Sequence, residues 1–241
     1  MKIERGMVLA AGFGQRMRPL TLTTPKPLIP VAGRCMLDRV LDHFIAAGVE
    51  SCAVNSHYLA DRIAMHVALR MSQKREKLGI LLSHEDEILD TGGGVLQALP
   101  VFQPDPFFVV NGDILWRDGA VPALERLAAA WNDETMDALL LVHDSASAIG
   151  YDGPGDFDLL PTGKLKRRQG NSAPFVFTGV QVLHPRLFDG VEKGVFSLNV
   201  LYDKALAAGR LHGLLHDGEW YHIGTPDGLK LAESHLKAHL S

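Results

Sequence analysis

The chain has 241 residues, of which 46% are apolar and 22% are charged, and its formal net charge is -4. These values are typical of a globular protein and exclude a disordered chain, a collagen and a long coiled coil. No stretch reaches the ~18 apolar residues of a membrane-spanning helix, and a chain without net positive charge is a poor general nucleic-acid binder. The sequence therefore predicts no membrane partner and no nucleic-acid partner.

The first 145 residues alternate short apolar runs with helical patterns. Buried strands are predicted at residues 7–11, 52–55, 80–82, 107–110 and 138–142. Apolar residues at helical spacing predict a helix over residues 36–45 that stops before Gly48, and another helix over residues 59–67. This alternation predicts an α/β fold with a Rossmann-like, doubly wound, mixed and mostly parallel sheet.

The pattern changes after about residue 145. Residues 157–160 and 175–177 read as strands joined by turns, which predicts a smaller antiparallel or mixed lobe. Thr225 and Pro226 are an N-cap and a first helical residue for a C-terminal helix. The apolar face of that helix is formed by Leu229, Ala232, Leu236 and Leu240. We interpret residues 1–241 as one domain, with parts at about 1–145 and 146–241.

Cysteine is rare, and the two cysteines, Cys35 and Cys52, stand in apolar surroundings without the spacing of a metal site. The N-terminus also lacks the ~7–15 apolar residues of a signal peptide. Both observations predict a protein of the reducing cytoplasm.

Glycine is in excess, with 24 residues or about 10% of the chain against ~7% in average proteins. Two groups stand out, Gly12 with Gly14 and the run at residues 92–94. Glycine lets the backbone approach a ligand closely, so these groups are candidate binding loops.

The loop after the first predicted strand combines glycine with positive charge. Gly12 and Gly14 are followed by Arg16, Arg18 and Lys26. Backbone N–H groups of such a loop form anion-binding concavities, and three cations within 11 positions could neutralise a triphosphate. A plain turn is the alternative for an isolated G-x-G.

Two common phosphate-binding motifs do not fit this loop. No G-x-x-x-x-G-K-[ST] occurs, and Met17 stands where the dinucleotide motif G-x-G-x-x-G requires its third glycine. The prolines Pro19, Pro25 and Pro27 favour an extended loop over the start of a helix. A dehydrogenase is therefore disfavoured.

The run L-A-A-G-x-G-x-R-M-x-P-L-T, followed by T-P-K-P-L, resembles the sugar-1-phosphate nucleotidylyltransferases, and the resemblance extends along nearly the whole chain. It implies an enzyme that makes a nucleotide-sugar and pyrophosphate from a nucleoside triphosphate and a sugar 1-phosphate. By this resemblance, the backbone at Ala11, Gly12 and Gly14 holds the nucleotide. Arg16 and Lys26 match the residues that handle the phosphates.

Asp113 follows the predicted strand at residues 107–110, where α/β proteins place their ligands. One or two carboxylates with phosphate oxygens are the usual ligands of Mg²⁺. Asp113 matches the metal-binding aspartate of the family, so the resemblance implies Mg²⁺, with Mn²⁺ as a possible substitute, and a catalytic role for Asp113. The alternative for Asn111-Gly112-Asp113 is an ordinary turn.

The segment from Glu85 to residue 94 ends in three glycines, whose bare backbone could lie against a flat base. The family reads its base here, which implies that Glu85, Thr91, Gly92 and Gly93 bind the nucleotide; a flexible loop is the alternative. The form L-D-T-G-G-G resembles the short uridylyltransferases that act on N-acetylmuramate 1-phosphate in cell-wall sugar recycling. The alternatives are a guanylyltransferase for mannose or heptose 1-phosphate and a binding subunit without catalysis.

The resemblance also implies a sugar site made of Asn111, Asp156, Thr178 and Gly179, and a glycine within a strand often marks a close ligand. A surface turn is the alternative for Asp156. Asn55 either contacts the ligand or caps a helix, and capping or packing is favoured.

The segment at residues 220–225 departs from the family pattern W-x-D-x-G-T, because His222 replaces the aspartate that is a second metal ligand. Imidazole suits Mg²⁺ poorly, so His222 is a doubtful ligand. The hypotheses are a single strong carboxylate ligand or help from Asp217 or Glu219.

The predicted mechanism is direct in-line attack of a sugar-phosphate oxygen on the α-phosphorus. The attacking oxygen is already an anion, so catalysis needs no general base and consists of positioning and charge stabilisation.

The sequence is compatible with a monomer or a small homo-oligomer.

Overall fold

The structure is a computed structural model that describes residues 1–73 and 77–238. The helices are α1 (Met36–Ala46), α2 (Ala60–Ser72), α3 (Asp90–Ala98), α4 (Ala123–Ala130), α5 (Leu198–Ala207) and α6 (Pro226–Ala238). The strands are β1 (Arg5–Leu9), β2 (Pro30–Val31), β3 (Arg34–Cys35), β4 (Ser51–Ser56), β5 (Gly79–His84), β6 (Phe107–Asn111), β7 (Leu115–Arg117), β8 (Ala138–Asp144), β9 (Phe157–Leu159), β10 (Leu165–Arg167), β11 (Phe175–Leu183), β12 (Leu211–Leu215) and β13 (Glu219–Tyr221). None of the described helices is long and apolar enough to cross a membrane.

A mixed sheet of nine strands forms the centre of the molecule. Its main path is β10-β9-β11-β6-β1-β4-β5, and β8 pairs with both β11 and β12. The strands β6, β1, β4 and β5 are mutually parallel, whereas β11 runs antiparallel to β6. Helices cover both faces, which explains why central strands such as β6 are apolar on both sides.

The predicted Rossmann-like α/β fold is confirmed. Each of the five strands predicted before residue 145 corresponds to an observed strand, namely β1, β4, β5, β6 and β8. The antiparallel strands β9, β10 and β11 of the second part join the same sheet, because β11 pairs with β6 over Val180–Leu183. The division near residue 145 stays a prediction.

The helix ends follow local sequence signals. In α1, the side chain of Cys35 caps the N-terminus by accepting from the Asp38 backbone N–H, with 3.5 Å between sulfur and nitrogen. The Thr225 hydroxyl likewise accepts from the Gly228 N–H at 3.2 Å, which confirms the predicted cap of α6. Ala232 and Leu236 of α6 are buried as predicted. Leu240 lies outside the described residues.

A charged cluster joins α1 to α2. Asp38 Oδ1 accepts from His66 Nε2 at 3.0 Å and from Arg70 Nη1 at 2.9 Å, and Cys35 Sγ lies 3.6 Å from the same His66 nitrogen. Burial opposes ionisation of Asp38, but the hydrogen bonds from His66 and Arg70 outweigh it and lower the pKa of Asp38. The hydrogen bond to Asp38, with a contribution from Cys35, raises the pKa of His66 to about 10. His66 is therefore an imidazolium that holds the two helices together.

This cluster predicts a pH dependence of stability. Because the folded pKa of His66 is raised above its unfolded value of ~6.5, its contribution is complete below pH ~6.5 and is lost as pH rises through about 10. We expect the stability difference between wild type and His66→Gln, measured by urea unfolding, to shrink over this range. The exposed His84→Gln is the control. A difference that stays constant from pH 6 to pH 10 would contradict the prediction.

Candidate active site

A cavity of about 450 Å³ opens at the carboxyl edge of the parallel strands. Its lining includes Leu9 at the end of β1, Asn55 in β4 and Asn111 at the end of β6. The chain passes from β1 to β4 and β5 on one side and then returns to β6 on the other side of β1. The cavity thus lies at the topological switch point, where open α/β sheets bind ligands.

The loop after β1 forms one wall of this cavity. It contains three single-turn 3-10 helices, Gln15–Met17, Leu20–Leu22 and Lys26–Leu28, instead of an α-helix, as the prolines predicted. A side chain on Gly12 would meet no atom within 4 Å, so the backbone there is open to the cavity. Gly14 has a φ of 60°, and its carbonyl accepts from the Thr21 hydroxyl. The loop therefore presents bare backbone to a ligand.

Positive charge lines the same wall. Arg16 and Lys26 both border the cavity. Lys26 is only 8% exposed, and its Nζ lies 2.7 Å from Asp113 Oδ2. In the described part of the chain, no hydrogen bond or ion pair holds the Arg16 side chain. The site therefore has one cation fixed by a carboxylate and one free to take an anion.

Asp113 suits a divalent cation that arrives with phosphate. Its side chain is 38% exposed and borders the cavity, and its Oδ2 atom accepts the hydrogen bond from Lys26 Nζ. In the part of the chain that the structure describes, one group of three side chains has His, Cys, Asp or Glu ligand atoms that all lie within 4.8 Å of one another, namely Cys35, Asp38 and His66. None of these three residues borders the cavity. Few protein ligands are typical of Mg²⁺, which keeps waters and substrate phosphates in its coordination shell.

His222 lies beside this cationic wall. A side chain on Gly224, which borders the cavity, would come within 2.5 Å of His222 Nε2. Burial lowers the pKa of His222, and the nearby Lys26 and Arg16 lower it further. His222 is therefore a neutral imidazole next to the cavity lining, and its role as a metal ligand stays a prediction.

The two acidic residues considered as helpers of His222 have other partners. Asp217 forms an ion pair with Arg126. Glu219 accepts from the Tyr221 hydroxyl at 2.6 Å and pairs with Arg117 at 3.1 Å. Neither borders the cavity. The geometry thus favours the hypothesis of a single strong carboxylate, Asp113.

A buried hydrogen-bond chain connects the glycine loop to the segment after β5. Asn55 Oδ1 accepts from the Ala10 backbone N–H at 2.6 Å, and Asn55 Nδ2 donates to Glu85 Oε1 at 2.7 Å. Glu85 Oε2 accepts from the Leu89 N–H at 2.9 Å. Asn55 and Glu85 are 2% and 1% exposed, yet both border the cavity. The predicted nucleotide residue Glu85 thus reaches the same cavity as Ala11 and Gly12.

The three glycines at residues 92–94 serve helix packing. The N–H groups of Gly92 and Gly93 both donate to the Phe196 carbonyl, at 2.8 and 3.1 Å, in the segment before α5. A Cβ at Gly92 would collide with the Phe196 ring, and one at Gly93 would collide with the Gly194 carbonyl oxygen. A Cβ at Gly94 would lie 2.7 Å from Glu85 Oε1. Gly92 and Gly93 do not border the cavity, and their contact with the base stays a prediction.

Thr91 connects this helix to the cavity in a different way. It borders the cavity, and its hydroxyl accepts from the Leu198 N–H at 2.9 Å. The first turn of α3 is therefore fixed to the first turn of α5 at the rim of the site. Asp90, which has a φ of 59°, borders the cavity beside it.

The predicted sugar residues divide into two groups. Asn111 borders the cavity, and Gly179, with a φ of 87°, leaves room for the Asn111 amide, which would lie 2.8 Å from a Cβ there. Thr178 is fully buried and donates to the Leu141 carbonyl at 2.8 Å. Asp156 accepts from the Phe177 N–H at 2.9 Å. Three of the predicted sugar residues do not border the cavity, namely Asp156, Thr178 and Gly179. Their contacts with a sugar stay predictions.

The structure brings most of the predicted site residues to one cavity. Those bordering it are Ala11, Gly12, Gly14, Arg16, Lys26, Glu85, Thr91, Asn111 and Asp113. Sequence reasoning favoured capping or packing for Asn55 and did not single out Gln15 or Asp90, which also border it. The position of Asn55 near the end of β4 could have indicated this, because β4 pairs in parallel with β1 and so ends at the same edge of the sheet.

Comparisons with known proteins agree with this geometry. Residues 5–152 match the family model described as Nucleotidyl transferase. An N-acetylmuramate alpha-1-phosphate uridylyltransferase of Caulobacter vibrioides is 37% identical over 231 residues, which are 95% of this chain and 96% of that relative. A relative of the same name from Neisseria meningitidis serogroup B is 33% identical, over 95% of this chain and 97% of its own.

Among solved structures, a UDP-glucose pyrophosphorylase from Acinetobacter baumanii has a TM-score of 0.79 and 19% sequence identity. The match covers 98% of this chain and 94% of that chain. This similarity shows a shared fold.

Proposed function

Because this chain belongs to the nucleotidyl transferase family, we propose that it transfers the uridylyl group of UTP to N-acetylmuramate 1-phosphate and releases pyrophosphate. The observation that carries the proposal is a single cavity where the open glycine backbone, Arg16, Lys26 and Asp113 meet. Similarity to the two uridylyltransferases over 95% of this chain supports the choice of substrates.

In the proposed reaction, an oxygen of the sugar phosphate attacks the α-phosphorus of UTP. The new P–O bond forms as the bond to pyrophosphate breaks, and pyrophosphate leaves with the electron pair. The attacking oxygen is already anionic, so the chain needs no general base. Lys26 and Arg16 stabilise charge on the leaving pyrophosphate, and Lys26 is effective because it is nearly buried.

A divalent metal ion is the cofactor of the family, and we propose Mg²⁺, with Mn²⁺ as a substitute. Asp113 would hold it through Oδ1, since Oδ2 contacts Lys26. The bound ion supplies positive charge for the phosphate oxygens. The neutral imidazole of His222 is the proposed, weaker second ligand.

The remaining assignments concern the organisation of the chain. We propose that residues 1–145 bind the nucleotide and that residues 146–241 bind the sugar, with Asp156, Thr178 and Gly179 arranging that part of the site. We also propose a cytoplasmic protein, because both cysteines are free thiols. A role in peptidoglycan recycling is proposed from the substrate alone. A monomer or a small homo-oligomer fits this proposal.

The test is a matrix of the four nucleoside triphosphates against several sugar 1-phosphates, read by pyrophosphate release. We expect UTP with N-acetylmuramate 1-phosphate to give the highest kcat/KM. N-acetylglucosamine 1-phosphate is the matched control, because it lacks only the lactyl group. Faster turnover of GTP with mannose or heptose 1-phosphate would identify a guanylyltransferase. Binding of UTP without turnover of any pair would identify a subunit without catalysis.

A further inference from the structure

Three side chains of different chemistry meet between α1 and α2. Cys35 is the N-cap residue of α1, Asp38 lies in the first turn of that helix, and His66 lies in α2. His66 Nε2 lies 3.6 Å from Cys35 Sγ and 3.0 Å from Asp38 Oδ1. The sulfur, the nitrogen and the oxygen all lie within 4.8 Å of one another. A thiol, an imidazole and a carboxylate therefore face a common point.

The spacing of these atoms fits a tetrahedral metal ion. Ligands at the usual Zn²⁺ distances and at tetrahedral angles are separated by about 3.6 Å for sulfur and nitrogen and by about 3.3 Å for nitrogen and oxygen. The separations here are 3.6 and 3.0 Å. One edge of the ligand triangle already has the required length, and the other needs to open by only a few tenths of an ångström.

The kind of ligand selects the metal. A thiolate and an imidazole favour Zn²⁺, whereas Mg²⁺ prefers oxygen ligands. Three protein ligands with a water in the fourth position are a common coordination of Zn²⁺. The side chains of His66 and Asp38 are 27% and 20% exposed, so a metal ion and its water can reach the group from solvent.

The neighbouring charges leave room for the metal. Asp38 Oδ1 accepts from His66 Nε2 and also from Arg70 Nη1 at 2.9 Å. A carboxylate oxygen has two lone pairs, so a metal can take the one that faces His66 while Arg70 keeps the other. Arg70 Nη2 donates to Asp42 Oδ1 at 2.9 Å, and this second carboxylate offsets the charge of the guanidinium. Arg70 would thus orient a metal ligand from the outer shell.

We propose that Cys35, Asp38 and His66 bind Zn²⁺ and that the ion clamps α1 to α2. Binding releases the His66 Nε2 proton and the Cys35 thiol proton to solvent, because both ligand atoms must be deprotonated. The proposal does not depend on the proposed nucleotide transfer, since none of the three residues borders the cavity. The intervals of 3 and 28 positions between these ligands match no common zinc motif, so the sequence pattern did not indicate the site.

The test uses Co²⁺ as a spectroscopic substitute for Zn²⁺ on the full, untagged chain. A Co²⁺–thiolate bond produces a sulfur-to-metal charge-transfer band in the near ultraviolet. We expect this band to saturate at one Co²⁺ per chain, to disappear when Zn²⁺ is added, and to persist in excess Mg²⁺. Co²⁺ at Asp113 produces no such band, since neither Cys35 nor Cys52 borders the cavity.

Cys35→Ser is the decisive variant, because a serine hydroxyl still caps α1 but does not replace the thiolate. We expect it to abolish the band and to weaken Zn²⁺ binding, measured by competition with a chromophoric chelator, by more than about 10²-fold, since a lost ligand costs more than a lost outer-shell partner. His66→Gln should weaken Zn²⁺ binding to a similar degree.

Cys52→Ala is the matched control, because Cys52 is buried in β4 and lies outside the ligand group. It should keep the band and the Zn²⁺ affinity of the wild type. Thermal unfolding gives a second readout. Zn²⁺ should raise the unfolding midpoint of the wild type and of Cys52→Ala but not that of Cys35→Ser, because an ion that binds only the folded chain stabilises it.

A wild type without the band and without a Zn²⁺-dependent rise in unfolding midpoint would overturn the proposal. A band of unchanged strength in Cys35→Ser would also overturn it. If Cys35→Ser does not fold, His66→Gln decides, and wild-type Zn²⁺ affinity in that variant would overturn the proposal. An active enzyme that lacks the band refutes this site alone, whereas an inactive chain that shows the band refutes the proposed function alone.

Discussion

Lys26→Ala is expected to lower kcat by about 10³-fold while the affinity for the nucleotide falls by no more than about tenfold. Lys26 is 8% exposed and fixed by Asp113, so its charge is already oriented toward the cavity before the reaction starts. A charge fixed in this way stabilises the leaving pyrophosphate more in the transition state than in the ground state. Steady-state kinetics with calorimetric nucleotide binding separates the two effects.

The matched control is Lys230→Ala, since Lys230 lies on α6 with its side chain 77% exposed. A thermal melt is needed as well, because Lys26→Ala leaves Asp113 without its cation. A loss of nucleotide affinity with an unchanged kcat would show that Lys26 acts in binding alone. A kcat within a few-fold of wild type would remove it from the mechanism.

Asp113→Asn is expected to lower activity by about 10³-fold and to raise the Mg²⁺ concentration needed for half-maximal activity. The amide keeps the shape of the side chain but lacks the negative charge that a hard divalent cation requires. It also removes the ion pair with Lys26, so a lower kcat alone does not identify a metal ligand. The metal titration does, because a lost ligand moves the midpoint.

Asp105→Asn is the control for Asp113→Asn. Asp105 precedes β6, whereas Asp113 follows it, and its 62% exposed side chain pairs with Arg5. An unchanged Mg²⁺ midpoint in Asp113→Asn would contradict the metal role. His222→Ala in the same titration tests the weaker ligand: an unchanged midpoint and rate would exclude His222, and His222→Asp would show whether a carboxylate tightens the site.

The cavity wall that carries the glycines and cations could be predicted from sequence because its determinants lie close together in the chain. Gly12, Gly14, Arg16 and Lys26 belong to one loop, and the prolines of that loop disfavour an α-helix by local sterics alone. Asp113 was predictable because a residue that follows a buried parallel strand must lie at the carboxyl edge of the sheet. Local rules suffice for these positions.

The glycine run at residues 92–94 has a packing role that the local sequence does not predict. Gly92 and Gly93 have the composition of an open binding loop, but their N–H groups donate to the Phe196 carbonyl, more than 100 positions along the chain. The sequence contains no sign of that partner. The hydrogen bond from Asn55 to Glu85 likewise joins two residues that are 30 positions apart.

The sequence by itself determined the α/β fold, the loop that presents Gly12 and Arg16, and the position of Asp113, because each depends on strand periodicity or on neighbours along the chain. Only the tertiary structure decided that Lys26 pairs with Asp113, that Asn55 donates to Glu85, and that the glycines at residues 92–94 pack against protein. These facts depend on contacts between distant segments. Hydrogen-bond polarity and steric room exist only after the sheet has brought those segments together.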